Sequence, residues 1–262
     1  GYYAFISRPL SRQKKERRHL DVLVKAAFES SQGRYGSWKI SRALAAKGTP
    51  YSRTRVADSM RRQTLRSKVR RKFVVTTDTK HTLKASPNLL NREFQRDRPN
   101  KVWVSDITYL PSRAGWLYLA VFIDLFSRRV VGWCVSPSLG HETVLVALSH
   151  AVWQKRPNPG LMIHSDRGIQ YCCEGFREAI HKNQFVQSMS RKANCWDNAV
   201  AESFFRSLKT EWLYHLDLID LDHAKRELFA YIEMFYNNQR LHAYLDYVSP
   251  AAFERLKTQK VA

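Results

Sequence analysis

Apolar positions recur at helical spacing through the first third of this chain and then switch to strand spacing. Between residues 10 and 30 a charged stretch carries an apolar stripe, Leu20, Val22, Leu23, Ala26 and Ala27, which predicts a helix. Tyr35 to Leu44 is again helical in period. Gly48 stops that helix, and Ser52 can cap a third from Arg53 to about Arg66. Two short helices about a tight turn, the second opening Ser52-Arg53-Thr54-Arg55, resemble a helix-turn-helix. The alternative is a small helical bundle with a basic surface. Residues 67–100, rich in Lys, Arg, Thr, Asn and Pro, read as a linker with a short strand at Phe73-Val74-Val75.

From Lys101 onward, β-branched and aromatic runs at 102–110, 116–124 and 128–136 are separated by short turns and predict three antiparallel strands. Then come a helix over 141–155, a strand over 161–165, a helix over 173–183 and a strand over 185–189. Helices over about 197–213 and 221–238 follow. This order makes an α/β fold, a mixed five-stranded sheet flanked by helices and preceded by a small basic all-helical module. The expected division is a module over 1–66, a linker over 67–100 and a core over 101–262. A central first strand, beside the strand ending at Asp166, would make Asp106 and Asp166 neighbours. Glu202 would descend from a helix across the sheet edge.

Charge sharpens that division. The 262 residues carry a formal net charge of +21. Residues 1–100 hold 25 Lys and Arg against 7 Asp and Glu, a net of +18, which leaves +3 for the rest. The first hundred residues therefore have the electrostatic footprint of a polyanion binder. Four cysteines, Cys134, Cys172, Cys173 and Cys195, form no C-x-x-C pair and read as reduced thiols of a cytosolic protein. The longest apolar run, Trp116 to Phe126, contains Asp124 and is too short to span a membrane. The chain starts at Gly1 rather than Met, as a fragment or the tail of a longer product would.

Against this background three acids stand out. Asp106 lies in the apolar run Val102–Tyr109, Asp166 ends Leu161–Asp166, and Glu202 follows in a helical stretch with 35 residues between it and Asp166. Hard carboxylate oxygens with no thiolate partner suit Mg²⁺ or Mn²⁺, which can activate one oxygen and stabilise another at a phosphate. A salt bridge for Asp106, a turn role for Asp166 and a solvated position for Glu202 are the plainer readings of each acid alone. Asp124 is expected to be structural or to support the site. His164 and His242 are expected to be structural or DNA-facing, and Trp103, Trp116 and Trp133 to lie in the core.

The residues also resemble a known family. The matching stretches include Trp103–Tyr109, Asp124–Arg128, Gly132-Trp133, His164–Tyr171, Cys195–Ala199, Glu202–Phe205 with Leu208-Lys209, and Tyr236–Arg240 with His242. Together they are similar to the DDE transposases of bacterial insertion sequences, specifically the second-reading-frame product of the copy-out–paste-in group. Trp196 stands where that family usually has Tyr, and Leu241-His242-Ala243 where Pro-His-Ser is commoner.

The resemblance implies a ribonuclease H-like, retroviral-integrase-like core. It implies two Mg²⁺ or Mn²⁺ ions on Asp106, Asp166 and Glu202, with cleavage of element ends and 3′-OH strand transfer through a circle. Lys209, two helical turns after Glu202, and Arg206, one turn after it, would hold the DNA end, and Asn198 would orient Glu202 or touch DNA. Arg53, Arg55, Arg61 and Arg62 of the basic module and Lys72 of the linker would contact DNA. Expected partners are double-stranded DNA at element ends and target, further copies of the chain, and an upstream frame-encoded DNA-binding and multimerisation region. The expected location is the bacterial cytoplasm, on the nucleoid. A hydrolytic nuclease of the same fold and a catalytically inactive DNA-binding assembly protein are the alternatives.

Overall fold

The computed structural model describes residues 11–68, 85–191 and 194–259. Lys72 and the expected strand at 73–75 lie outside them. The chain forms two compact units that meet in sequence between Lys72 and Phe73.

The first unit holds three helices: α1 (Arg12–Ser30), α2 (Ser37–Ala46) and α3 (Arg53–Arg62). The Ser11 and Ser52 hydroxyls accept from the backbone N–H three residues on and so cap α1 and α3. Burial on α1 follows Leu20, Val24 and Ala27 at i, i+4 and i+7. Val22 and Ala26, expected in the stripe, are exposed because they lie off that face. Ile40 and Leu44 of α2 and Val56 and Met60 of α3 complete the core. The Ser59 hydroxyl donates to Asp21 at 2.6 Å and Arg62 donates to the same carboxylate, tying α3 to α1. The third helix ends four residues before the expected Arg66, at a turn where Thr64 has a φ of 54°.

The second unit is built on one five-stranded sheet, ordered β3-β2-β1-β4-β5. The strands are β1 (Val102–Ser112), β2 (Gly115–Asp124), β3 (Val130–Ser136), β4 (Met162–Ser165) and β5 (Val186–Met189). β1, β2 and β3 are antiparallel neighbours, whereas β4 lies parallel to β1 and β5 parallel to β4. The first strand is therefore central. Helix α4 (His141–Lys155) covers β3 and β2 on one face. It approaches so closely that a Cβ at Gly132 would collide with the Ala147 carbonyl and with Ala151. The one-turn α5 (Ile169–Cys172) and α6 (Glu174–Lys182) join the same layer. Trp103, Phe122, Leu148, Ile163, Tyr171 and Phe176 form its buried centre.

Alternation along β1 turns Trp103, Ser105 and Ile107 to that face, and Val104 and Asp106 to the other. Against β1 packs α7 (Ala199–Glu211). Helix α8 (Leu221–Phe229) follows, and its chain runs on as a π-helical turn, Ala230–Tyr236, where one α-helix was expected. A further helix, α9 (Pro250–Thr258), was not anticipated. Asn237, just past the π turn, exchanges two side-chain hydrogen bonds at 3.0 Å with the Val130 backbone on β3. Arg240 clasps Glu211 of α7 at 2.7 and 2.8 Å.

Residues 85–100, expected as the end of the linker, lie against the core as a strap along β5. Leu89 and Leu90 N–H both donate to the Ser188 hydroxyl, Met189 N–H donates to the Pro87 carbonyl, and Leu90 is fully buried. The strap thus supplies partners along the sheet's last strand, whose outer edge would otherwise present unpaired groups.

Candidate active site

Parallel pairing of Val104 with His164 ends the β1–β4 ladder, and two residues further along each chain stand Asp106 and Asp166. Each carboxylate is oriented by its own backbone. The Ile107 N–H donates to Asp106 and the Gly168 N–H to Asp166, both at 2.9 Å. Gly168 is a close fit: a Cβ there would come within 3.0 Å of the Asp166 oxygen.

Burial raises the Asp106 carboxyl well above the usual range. The charge of Asp166 adds to this and that of Glu202 adds less, while the Ile107 N–H and Lys209 act in the opposite sense. Glu202 projects from the exposed side of α7. Its carboxyl is also raised by burial, with Arg206 opposing. Lys209 is half-buried and its ammonium is lowered by burial, with Asp106 as the opposing charge. The three acids and Lys209 thus share one electrostatic neighbourhood centred on Asp106.

Among the described residues no three His, Cys, Asp or Glu side chains are gathered tightly enough to hold an ion as they stand. The donor chemistry nonetheless fits a hard divalent cation. The acids offer only oxygen, and the Cys172 thiol beside Asp166 is pushed up by burial and stays protonated.

Neighbouring residues have clear structural places. His164 is fully buried between the Ser188 and Ser190 hydroxyls at 2.9 and 3.3 Å. Burial lowers its pKa to about 4, so it is neutral at pH 7. Asp124 pairs with Trp103, three residues before Asp106 on β1, and so stands apart from the cluster. Its buried carboxylate accepts from Asn100 and Phe126 N–H at 2.7 and 2.8 Å, and burial raises its pKa to about 6. Tyr171, not singled out from the sequence, is buried with its hydroxyl 2.8 Å from that of Ser105. Its pKa is raised well above the usual value by burial, with Asp106 and then Asp166 adding to it.

Three expectations need correcting. Asn198, expected to orient Glu202 or touch DNA, is buried and donates at 3.1 Å to the Ser105 carbonyl instead, because the turn before α7 folds it inward onto β1. Trp116 is 58% exposed rather than in the core, since it sits at the hairpin end of β2 against Tyr109. Trp133 is only half-buried and donates to Glu233 at 2.9 Å, whereas Trp103 is fully buried as expected.

In the first unit, Arg53 is exposed and stacks with Arg42 around the half-exposed Trp38. Arg55 pairs with Glu16, Arg61 with Asp58 and Arg62 with Asp21, all on the surface or near it.

Comparison with known proteins agrees with this layout. Residues 96–195 and 202–257 each match an integrase core domain, and residues 14–73 match an HTH-like domain. The transposase InsF of insertion sequence IS3A from Escherichia coli K12 is 40% identical over 256 residues, 97% of this chain and 89% of that protein. An uncharacterised 31 kDa protein of insertion element IS600 from Shigella sonnei is 39% identical over 262 residues, all of this chain and 96% of that one. Among solved structures, the simian T-cell lymphotropic virus intasome in complex with the PP2A regulatory subunit B56 gamma aligns with a TM-score of 0.51. That alignment has 16% identity over 82% of this chain and 70% of that one, and it supports the fold alone.

Proposed function

The chain belongs to the insertion-sequence transposases with an integrase-type catalytic core, and on that premise we propose that it cuts element ends and joins the freed 3′-OH to a second DNA strand. Its activity is that of a DNA transposase, a polynucleotidyl transferase. The observation that carries the proposal is the Asp106–Asp166 pair at the end of the β1–β4 ladder, with Glu202 and Lys209 in its field.

Asp106, Asp166 and Glu202 would hold Mg²⁺ or Mn²⁺, two ions in the full proposal. When bound, such ions activate an attacking oxygen and offset charge on a leaving one. The protein's own part is to orient and to position. Ile107 and Gly168 N–H fix two of the carboxylates. Lys209, in the field of Asp106, offers its ammonium to a terminal phosphate, and Arg206 adds a second cation on α7.

The module over 1–66 supplies affinity for duplex DNA through Arg53, Arg55, Arg61 and Arg62, and Lys72 extends it. Residues 67–100 link it to the core over 101–262, and residues 85–100 of that linker form the strap along the core. Element ends and target are the DNA partners. Further copies of the chain and an upstream frame-encoded region complete the working assembly, on the nucleoid in the bacterial cytoplasm. Among the described residues no helix is long and apolar enough to cross a membrane.

A duplex carrying an element end with a labelled 3′-OH tests the proposal. Joined products in Mg²⁺ or Mn²⁺ are expected. Cut products alone would favour a hydrolytic nuclease, and binding with neither would favour an assembly protein.

A further inference from the structure

Close to the acid cluster lies a second acidic centre that the reaction does not use. Asp197 is fully buried, five residues before Glu202, and its carboxylate is saturated with donors. Arg191 gives three bonds, from its backbone N–H at 3.0 Å, Nε at 2.9 Å and Nη2 at 2.8 Å. The strap gives two more, Asn88 Nδ2 and Arg92 Nε, both at 2.8 Å. The next residue, Asn198, binds the Ser105 carbonyl beside Asp106. Two consecutive residues therefore tie the start of α7 to the strap on one side and to β1 on the other.

The strap is shaped for this contact. Asn91 and Arg92 have φ values of 47° and 61°. Left-handed backbone is disfavoured by about 1–2 kcal/mol for a residue such as Arg92, though tolerated by Asn, and persists where surrounding bonds hold it. Arg92 is held at both ends of its guanidinium, by Asp197 and by Asn194 Oδ1 at 2.9 Å.

Resting on the strand-transfer reading, we propose that Asp197, with Arg92 and Asn88 of the strap, is a positioning clasp that sets Glu202 and Lys209 against Asp106. The strap, 105 residues before Asp197 in sequence at Arg92, is then a working part of the active site. A shared helix makes the effect reach both residues: Glu202 and Lys209 lie on α7, whose start the clasp fixes. A carboxylate placed loosely by even one bond length binds a cation poorly, and loss of such supporting contacts reduces activity by about 10–100-fold.

Full-length Arg92→Ala and Asp197→Asn test the clasp, with Arg92→Lys as the conservative control. Amide hydrogen exchange is measured without metal, and joining of a labelled 3′-OH end is measured in Mn²⁺. In Arg92→Ala, amides 203–208 of α7 should exchange about tenfold faster while those of β2 and β4 keep wild-type rates. Joining should fall about 10–100-fold, and Arg92→Lys should recover part of both. Wild-type exchange at 203–208 in both Arg92→Ala and Asp197→Asn would overturn the clasp. Equally faster exchange across β2 and β4 would also overturn it, as loss of general stability. Absence of joining by the wild type would count against strand transfer instead, and the exchange rates would still decide the clasp.

Discussion

Asp106 and Asp197 are both enclosed aspartates near the start of α7, and the protein treats them in opposite ways. Asp197 is surrounded by five donated hydrogen bonds, and Arg191, then Arg92, hold its carboxyl well below the usual range. Asp106 accepts a backbone bond from Ile107, and burial, then the charges of Asp166 and Glu202, push it well above that range. One centre is electrostatically complete and serves to hold segments together. The other is left short of positive charge, which is the condition of a site that takes its cations from outside.

The sharpest way to break this contrast is to neutralise each centre. Asp106→Asn, Asp166→Asn and Glu202→Gln should each bring joining below detection while DNA binding is kept, as gel assays on labelled ends would record. Asp106→Asn should also melt no lower than wild type, because it removes like charge from the cluster. Asp197→Ala should do the reverse in stability. It forfeits charge-assisted bonds from a buried group and should lose about 2 kcal/mol in urea denaturation. Equal melting losses from both substitutions would erase the distinction.

A smaller effect is expected from Lys209. Lys209→Ala should weaken binding of an element end and lower the slope of log affinity against log salt by about one. Lys209→Arg should retain much of the binding and joining, and Mn²⁺ occupancy should be unchanged in both. An unaltered slope in Lys209→Ala would return Lys209 to an ordinary surface cation.

The smallest effect concerns pH and the third enclosed aspartate, Asp124, whose pKa burial raises from 3.8 to about 6. A carboxyl raised on folding favours the native state below its unfolded value, and this contribution is lost as pH rises through the folded value. Stability from Asp124 should therefore decline between pH 3.8 and about 6. Asp197, shifted down, contributes above its unfolded value and loses that contribution as pH falls. Urea midpoints across the window should show the decline flattened in Asp124→Asn and unchanged in Lys209→Ala.

The sequence made much of this readable, and for identifiable reasons. The β-branched and aromatic runs after Lys101, bounded by short turns, placed five strands to within a few residues, because such residues pack best on a buried pleated sheet. The order of elements then left β1 as the natural centre. The acids were visible because a carboxylate in an apolar strand is costly without a purpose. The clasp was not visible. Asn88 and Arg92 lie in a stretch whose composition is that of a linker, and their meaning depends on a partner more than a hundred residues away. Asn198 misled for a related reason: spacing puts it one turn before Glu202, but the turn that starts the helix is 3₁₀, so its side chain points inward.

The π turn at Ala230–Tyr236 has a consequence for which changes the gene can tolerate. Each residue added to a helix rotates everything after it by about 100°. Asn237 and Arg240 follow the turn and reach in different directions, to β3 and to α7. A π turn holds one residue more than an α turn over about the same rotation. Deleting a single codon between 230 and 236 would therefore restore α geometry with Asn237 and Arg240 still directed at their partners, whereas inserting one would swing both away at once. Point substitutions there should be absorbed one contact at a time. In-frame single insertions should behave as loss-of-function alleles wherever in the turn they fall, and single deletions should be the better tolerated.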